Sequence, residues 1–183
     1  MGWQPAGSSG SSPDADARTL GYQGWTMHPY LATAGTTPVS GELVSSALWL
    51  PAGVTISEAW AQVKTVATTQ THFWVGLYSL ATTPALLASS ADEGGSFGTS
   101  TGWASVPLAY TTTAAGFYQL ADLSIATTPP VLARATLEET GTLLDLPAPY
   151  SRRFGYLQSG LSALPSDLSG AGTTQAAHLW IVA

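Results

Sequence analysis

Three histidines, His28, His72 and His178, are the side chains of this chain whose ordinary pKa lies near neutrality. A metal centre would need two of them at short, fixed spacing, or one beside cysteines. The three are scattered and the chain has no Cys, so no metal site, cofactor or thiol chemistry is expected. His72 and His178 each open an extended apolar run and are expected to be hydrogen-bonded structural residues. Glycoside cleavage needs two carboxylates held across a sugar bond. Glu42, Glu58, Asp92, Glu93, Asp122, Glu138, Glu139, Asp145 and Asp167 are spread along the chain, and nothing in their spacing pairs them. Asp92-Glu93 and Glu138-Glu139 lack the alternating oxygen spacing of a calcium loop, so they read as solvated loop charges. No Gly-x-Ser-x-Gly nucleophile elbow is expected, and no phosphate-cradling glycine loop with its lysine. The expectation is a protein that is not an enzyme.

Aromatic residues are the other source of chemistry. An exposed indole is an apolar platform with an N–H handle and can stack on sugars. The chain has seven tryptophans. Trp49, Trp60, Trp74 and Trp180 lie in extended runs and are expected in the core. Trp103, beside the glycine-rich stretch Asp92–Gly98, is the candidate glycan contact, with Tyr110 as its companion. Trp3 and Trp25 precede the patterned region, where an aromatic side chain suits an anchor in a neighbour's pocket.

The elements that must position these residues are strands. In Thr71–Leu80, Phe73, Val75 and Leu77 share one face of an extended chain and His72, Trp74, Gly76 and Tyr78 the other. Both faces are bulky, so both should be covered, as in an inner strand. Strands are also read at 42–50, 54–66, 85–91, 103–108, 116–126, 131–135 and 178–182, with a short one near 27–32. In 116–126 the phase changes between Tyr118/Leu120 and Leu123/Ile125, which a bulge near Ala121 would reconcile. Ser79–Ala88 and Ser124–Ala133 echo one another around Thr-Thr-Pro, as two related Greek keys would. Regular patterning fades from 138 to 176, a length of irregular chain suited to a contact surface.

These strand lengths and spacings imply an all-β sandwich or barrel. The division read is an extended N-terminal arm and lead-in over 1–41 and a β-sandwich domain over 42–183. Charged residues are only 9% of the chain against 45% hydrophobic, and net charge is −6. Arg152-Arg153 is the one basic pair, so no nucleic-acid partner is expected. No apolar run reaches membrane-spanning length, and the N-terminus has no signal-peptide pattern.

Several blocks, in order, carry a resemblance. Leu48-Trp49-Leu50-Pro51-Ala52-Gly53 through Thr71-His72-Phe73-Trp74-Val75-Gly76-Leu77-Tyr78 resembles a module common in tailed phages of high-GC Gram-positive bacteria. Ala88–Asp92, Tyr110–Tyr118, Ala126–Pro130 and Leu168–Thr174 with the closing strand are similar as well. The resemblance spans residues 42–183. It implies a minor tail protein or another virion structural protein with a jelly-roll-like β-sandwich, and it brings no catalytic residues.

The expected function is therefore a non-enzymatic virion protein on the tail or capsid surface, in contact with other virion proteins and with copies of itself, as in a trimer. Trp3, Trp25 and Tyr30 in the arm, and Arg152, Arg153, Phe154 and Tyr156 in the irregular stretch, are the expected assembly contacts. A capsid decoration or head-fibre protein is one alternative. A carbohydrate-binding module gripping host cell-surface glycan through Trp103 and Tyr110 is another.

Overall fold

Runs with period-two order form strands throughout. The computed structural model describes residues 15–26, 29, 32, 35, 38–135, 156–173 and 177–183. Its elements are α1 (Ala15–Thr19), β1 (Gly24–Trp25), β2 (Leu43–Leu50), β3 (Thr55–Thr65), β4 (Thr68–Ser79), β5 (Leu86–Ser89), β6 (Gly102–Thr111), β7 (Gly116–Thr128), β8 (Val131–Leu132), β9 (Arg134–Ala135), β10 (Tyr156–Gln158), β11 (Gly172–Thr173), β12 (Ala177–His178) and β13 (Trp180–Val182).

The fold is all-β, with antiparallel pairing throughout. A five-stranded sheet runs β1-β13-β3-β6, with β8 also on β3; a six-stranded sheet runs β11-β10-β2-β7-β4-β5; β9 and β12 form a small pair. Both larger sheets have open edges, so neither closes into a barrel. The chain passes from one sheet to the other between β2 and β3, β3 and β4, β5 and β6, β6 and β7, and β7 and β8. This interleaving holds the sheets over one shared core.

That core takes alternate residues from both sheets: Leu48 and Leu50, Ile56 to Val63, Phe73, Val75 and Leu77, Val106 and Leu108, Tyr118 and Leu120, Trp180 and Val182. Phe97, from the loop after β5, plugs it. Its ring stacks on Phe73 at 4.0 Å and lies 6.0 Å from Trp180.

The outer face of the six-stranded sheet is covered too. Leu43, Tyr78, Ala121 and Leu123 pack there with Leu168, joined by Trp74, Leu86, Ile125, Leu161 and Leu164. Gly76 makes this possible: a Cβ there would come within 3.1 Å of Leu164 Cδ1 and Leu86 Cδ1. Burial on both faces also explains the phase change in β7. Its even residues Tyr118 and Leu120 face the shared core and its odd residues Ala121 and Leu123 the second cluster. No bulge is needed at Ala121, and β7 pairs with β2 in unbroken register from Gly116 to Leu123.

On the outer face of the five-stranded sheet, Trp25, Ala17, Ala133, Leu179 and Ile181 form a third cluster, with Trp60 against it. Residues 15–26 thus belong to the sandwich: β1 pairs with β13, and Ala17 of α1 is fully buried. The expected division at residue 41 cuts across this packing. The strand expected at 27–32 falls mostly outside the described residues. The two echoed Thr-Thr-Pro corners lead to different places, since β5 folds back on β4 whereas β8 crosses to β3. Part of the stretch expected to be irregular is ordered by β10 and β11 beside β2.

Candidate functional site

The outer face of the five-stranded sheet holds an exposed indole among free polar groups. On β3 the residues Ala59, Ala61 and Val63 point into the core, so Trp60 and Gln62 point out; on β6 Val106 and Leu108 point in, so Trp103 and Ser105 point out. In the register of the two strands, Gln62 lies opposite Trp103 and Trp60 opposite Ser105. Trp60 and Trp103 are therefore diagonal neighbours, with Cα atoms about 7 Å apart. Trp103 is 48% exposed, while Trp60 is half-buried against the third cluster.

Tyr110 is not part of this face. It packs against the shared core, edge-on to Tyr118 with ring centroids 6.2 Å apart. Trp103 and Tyr110 are separated by an odd number of positions on one strand, so they point to opposite sides of the sheet. Trp103 and Tyr110, the two expected glycan contacts, therefore do not lie on one surface.

Among the described residues two histidine–carboxylate pairs occur, neither legible from spacing. His72 and Asp92 meet at the surface: Asp92 Oδ2 pairs with His72 Nδ1, and Oδ1 accepts from the N–H groups of Phe73 and Gly94 at 3.0 Å each. The His72 ring stacks on Trp74 at 5.0 Å. Partial burial pushes the Asp92 carboxyl up, but the hydrogen bonds from His72, Phe73 and Gly94 outweigh it and hold the carboxyl below its ordinary value. The second pair is buried. His178 Nδ1 lies 2.7 Å from Asp122 Oδ1, which also accepts the Trp180 indole N–H at 3.1 Å. Among the described residues no hydroxyl hydrogen-bonds to either imidazole ring, so neither pair is extended into a nucleophile relay. No cluster of three metal-ligating side chains occurs among them either.

Against the expectation of no Gly-x-Ser-x-Gly motif, Gly94-Gly95-Ser96-Phe97-Gly98 and Gly98-Thr99-Ser100-Thr101-Gly102 both spell that string. The context decides against an elbow. The string lies in a loop between β5 and β6 with no helix after it, and Ser96 Oγ bonds to Glu93.

Of the expected assembly contacts, Trp3, Tyr30, Arg152, Arg153 and Phe154 lie outside the described residues. Tyr156 opens β10, paired with Thr173. Trp25 is only 9% exposed and packs on Ala17, Leu179 and Ile181 of its own chain. It fills an internal pocket, so it is not an outward anchor.

An exposed apolar row that sequence reasoning missed lies on the outer face of the six-stranded sheet. Trp49 of β2 pairs with Phe117 of β7, and Leu80, the residue after β4, follows the Ser79–Tyr118 pair and continues the row. Phe117 is 42% and Leu80 38% exposed, and Trp49 is half-buried. The signal was present, because these residues occupy the face of their strands opposite the core. What the sequence hid is that residues 157–171 cover only the other end of that face.

Protein-family models, curated proteins and solved structures were all compared with this chain, and none matches.

Proposed function

We propose that this chain is a non-enzymatic structural protein of a tailed-phage virion, of the minor tail protein type. It is a jelly-roll-like sandwich that docks on other virion proteins through the segment preceding α1 and repeats around the particle in symmetric copies. The observation that carries this reading is the row Trp49–Phe117–Leu80. It leaves apolar surface open on a sheet face that the chain otherwise covers for itself, in a protein with only 9% charged residues. Such a surface suits a neighbour better than water. The ordered blocks from Leu48 to Thr174 that resemble phage virion modules support the same reading.

The test is incorporation. Particles are assembled in cells making a tagged copy of this chain and then purified. Deleting residues 1–14, which spares α1, is expected to abolish incorporation, and replacing Phe117 and Leu80 together with Ser to reduce it. Full incorporation of both variants would refute docking through these surfaces. Absence of the intact protein from purified particles would refute the virion assignment itself. Immunogold labelling of the tag distinguishes a tail position from a capsid one.

A further inference from the structure

We propose that the outer face of the five-stranded sheet at Trp103 binds a neutral saccharide chain, with a pyranose ring stacked on the Trp103 indole and its hydroxyls bonded by Gln62 and Ser105. The assignment does not depend on where the protein resides.

The indole stands on a strand, not on a loop, so its position is held by the β3–β6 ladder and little order is lost on binding. At 48% exposure it offers a flat apolar surface, and a sugar ring has an apolar face of C–H groups to lay on it. Hydroxyls at the rim of such a ring need partners. Gln62 lies directly opposite Trp103, and Ser105 is the next outward residue along β6. Neither side chain hydrogen-bonds to a described residue, and neither is fully buried. An amide and a hydroxyl both donate and accept, which matches a sugar hydroxyl. Trp60 lies diagonal to Trp103 and gives the surface an apolar floor continuous with the third cluster.

The charges select a neutral ligand. On β3 the outward residues flanking Trp60 and Gln62 are Glu58 and Lys64, one of each sign, at opposite ends. The patch therefore has no net charge of its own, and a chain with net charge −6 disfavours polyanions. A protein strand seeking a sheet edge would meet Pro107 in edge strand β6, which offers no N–H.

The experiment is native affinity electrophoresis of the full chain through gels containing hydroxyethylcellulose, galactomannan or dextran, with polygalacturonate as the acidic control. Retardation by at least one neutral polymer is expected. Trp103→Ala should remove it, Trp103→Phe should keep part of it, and Gln62→Ala should weaken it about tenfold. Tyr110→Phe, on the other side of the sheet, should leave it unchanged. In NMR spectra, of the seven tryptophan indole signals, the one lost in Trp103→Phe should shift most on adding the retarding polymer. Retardation by none of the neutral polymers would overturn the proposal. So would retardation that survives Trp103→Ala, or that is strongest with polygalacturonate. Self-association of the protein that Trp103→Ala abolishes would give the face to a second copy instead.

Discussion

Asp122 Oδ1 and His178 Nδ1 lie 2.7 Å apart inside the sandwich, and the same oxygen accepts the Trp180 indole N–H. One carboxylate thus ties β7 of the six-stranded sheet to β12 and β13, the strands that end the chain. A buried donor deprived of its acceptor costs about 1–3 kcal/mol. Asp122→Ala strands two donors, so a loss of about 3 kcal/mol is expected in urea unfolding. Asp122→Asn keeps an acceptor oxygen and should lose less. Equal losses for the two variants would show that the hydrogen bonds do not carry the effect.

Phe97 is a plug delivered by a loop. Its ring fills the space between Phe73 and Trp180 and is almost fully buried. Phe97→Ala should cost about 3–5 kcal/mol, the transfer and cavity penalty of a buried aromatic ring. Phe117→Ser, at an exposed position, should change the stability of the isolated protein by less than about 0.5 kcal/mol. Calorimetric melting of both variants checks the contrast.

The Tyr78 phenol is buried in the second cluster and donates to Pro165 O at 2.9 Å. Burial, with a smaller contribution from Asp167, pushes its pKa well above the ordinary value of 10.0. The folded state therefore holds the proton while the unfolded chain releases it. Stability is fully present below pH 10.0 and should fall as pH rises past it. Tyr118 is raised as well, so Tyr78→Phe should flatten this alkaline loss without removing it. Denaturant midpoints between pH 8 and 11, a window of about one unit or more on either side of a tyrosine's usual value, measure the slope.

Asp92 works in the opposite sense. Its carboxyl is held below the ordinary value of 3.8, so its contribution is present above that pH and disappears as pH falls through the lower, folded value. The group is partly exposed and solvent screens it, so the effect should be small. Asp92→Asn should remove this part of the acid sensitivity, read from unfolding midpoints between pH 5 and 2, on either side of a carboxyl's usual value of about 4.

Gly94 is the tightest point of the same loop. A Cβ there would lie 2.4 Å from Thr71 O and 2.6 Å from His72 Cα, both rigid backbone of β4. Gly94→Ala should lift the loop and withdraw Phe97 from the core, at a cost of about 1–3 kcal/mol or more. Gly95→Ala, with open space around its Cβ position, is the matched control.

Much of the fold is legible in the chain, because strand patterning is local. The period-two run Phe73–Val75–Leu77 with Trp74 and Tyr78 on the other face marks an inner strand covered on both sides, and β4 is one. The missing cysteines and scattered histidines equally exclude thiol chemistry and a short-spaced metal motif by composition alone. Partners far apart in sequence were decided only in three dimensions. Asp92 reaches His72 because the loop after β5 folds back on β4, and Asp122 reaches His178 because β7 and the chain end converge. Neither convergence leaves a mark in local spacing. The opposite faces of Trp103 and Tyr110 follow from counting along one strand, but which face meets solvent does not. Burial depends on what the other sheet, α1 and residues 157–171 cover, and only the packed chain determines that. Trp25 makes the same point: its aromatic character is in the sequence, but its pocket is built by Leu179 and Ile181 from the opposite end of the chain.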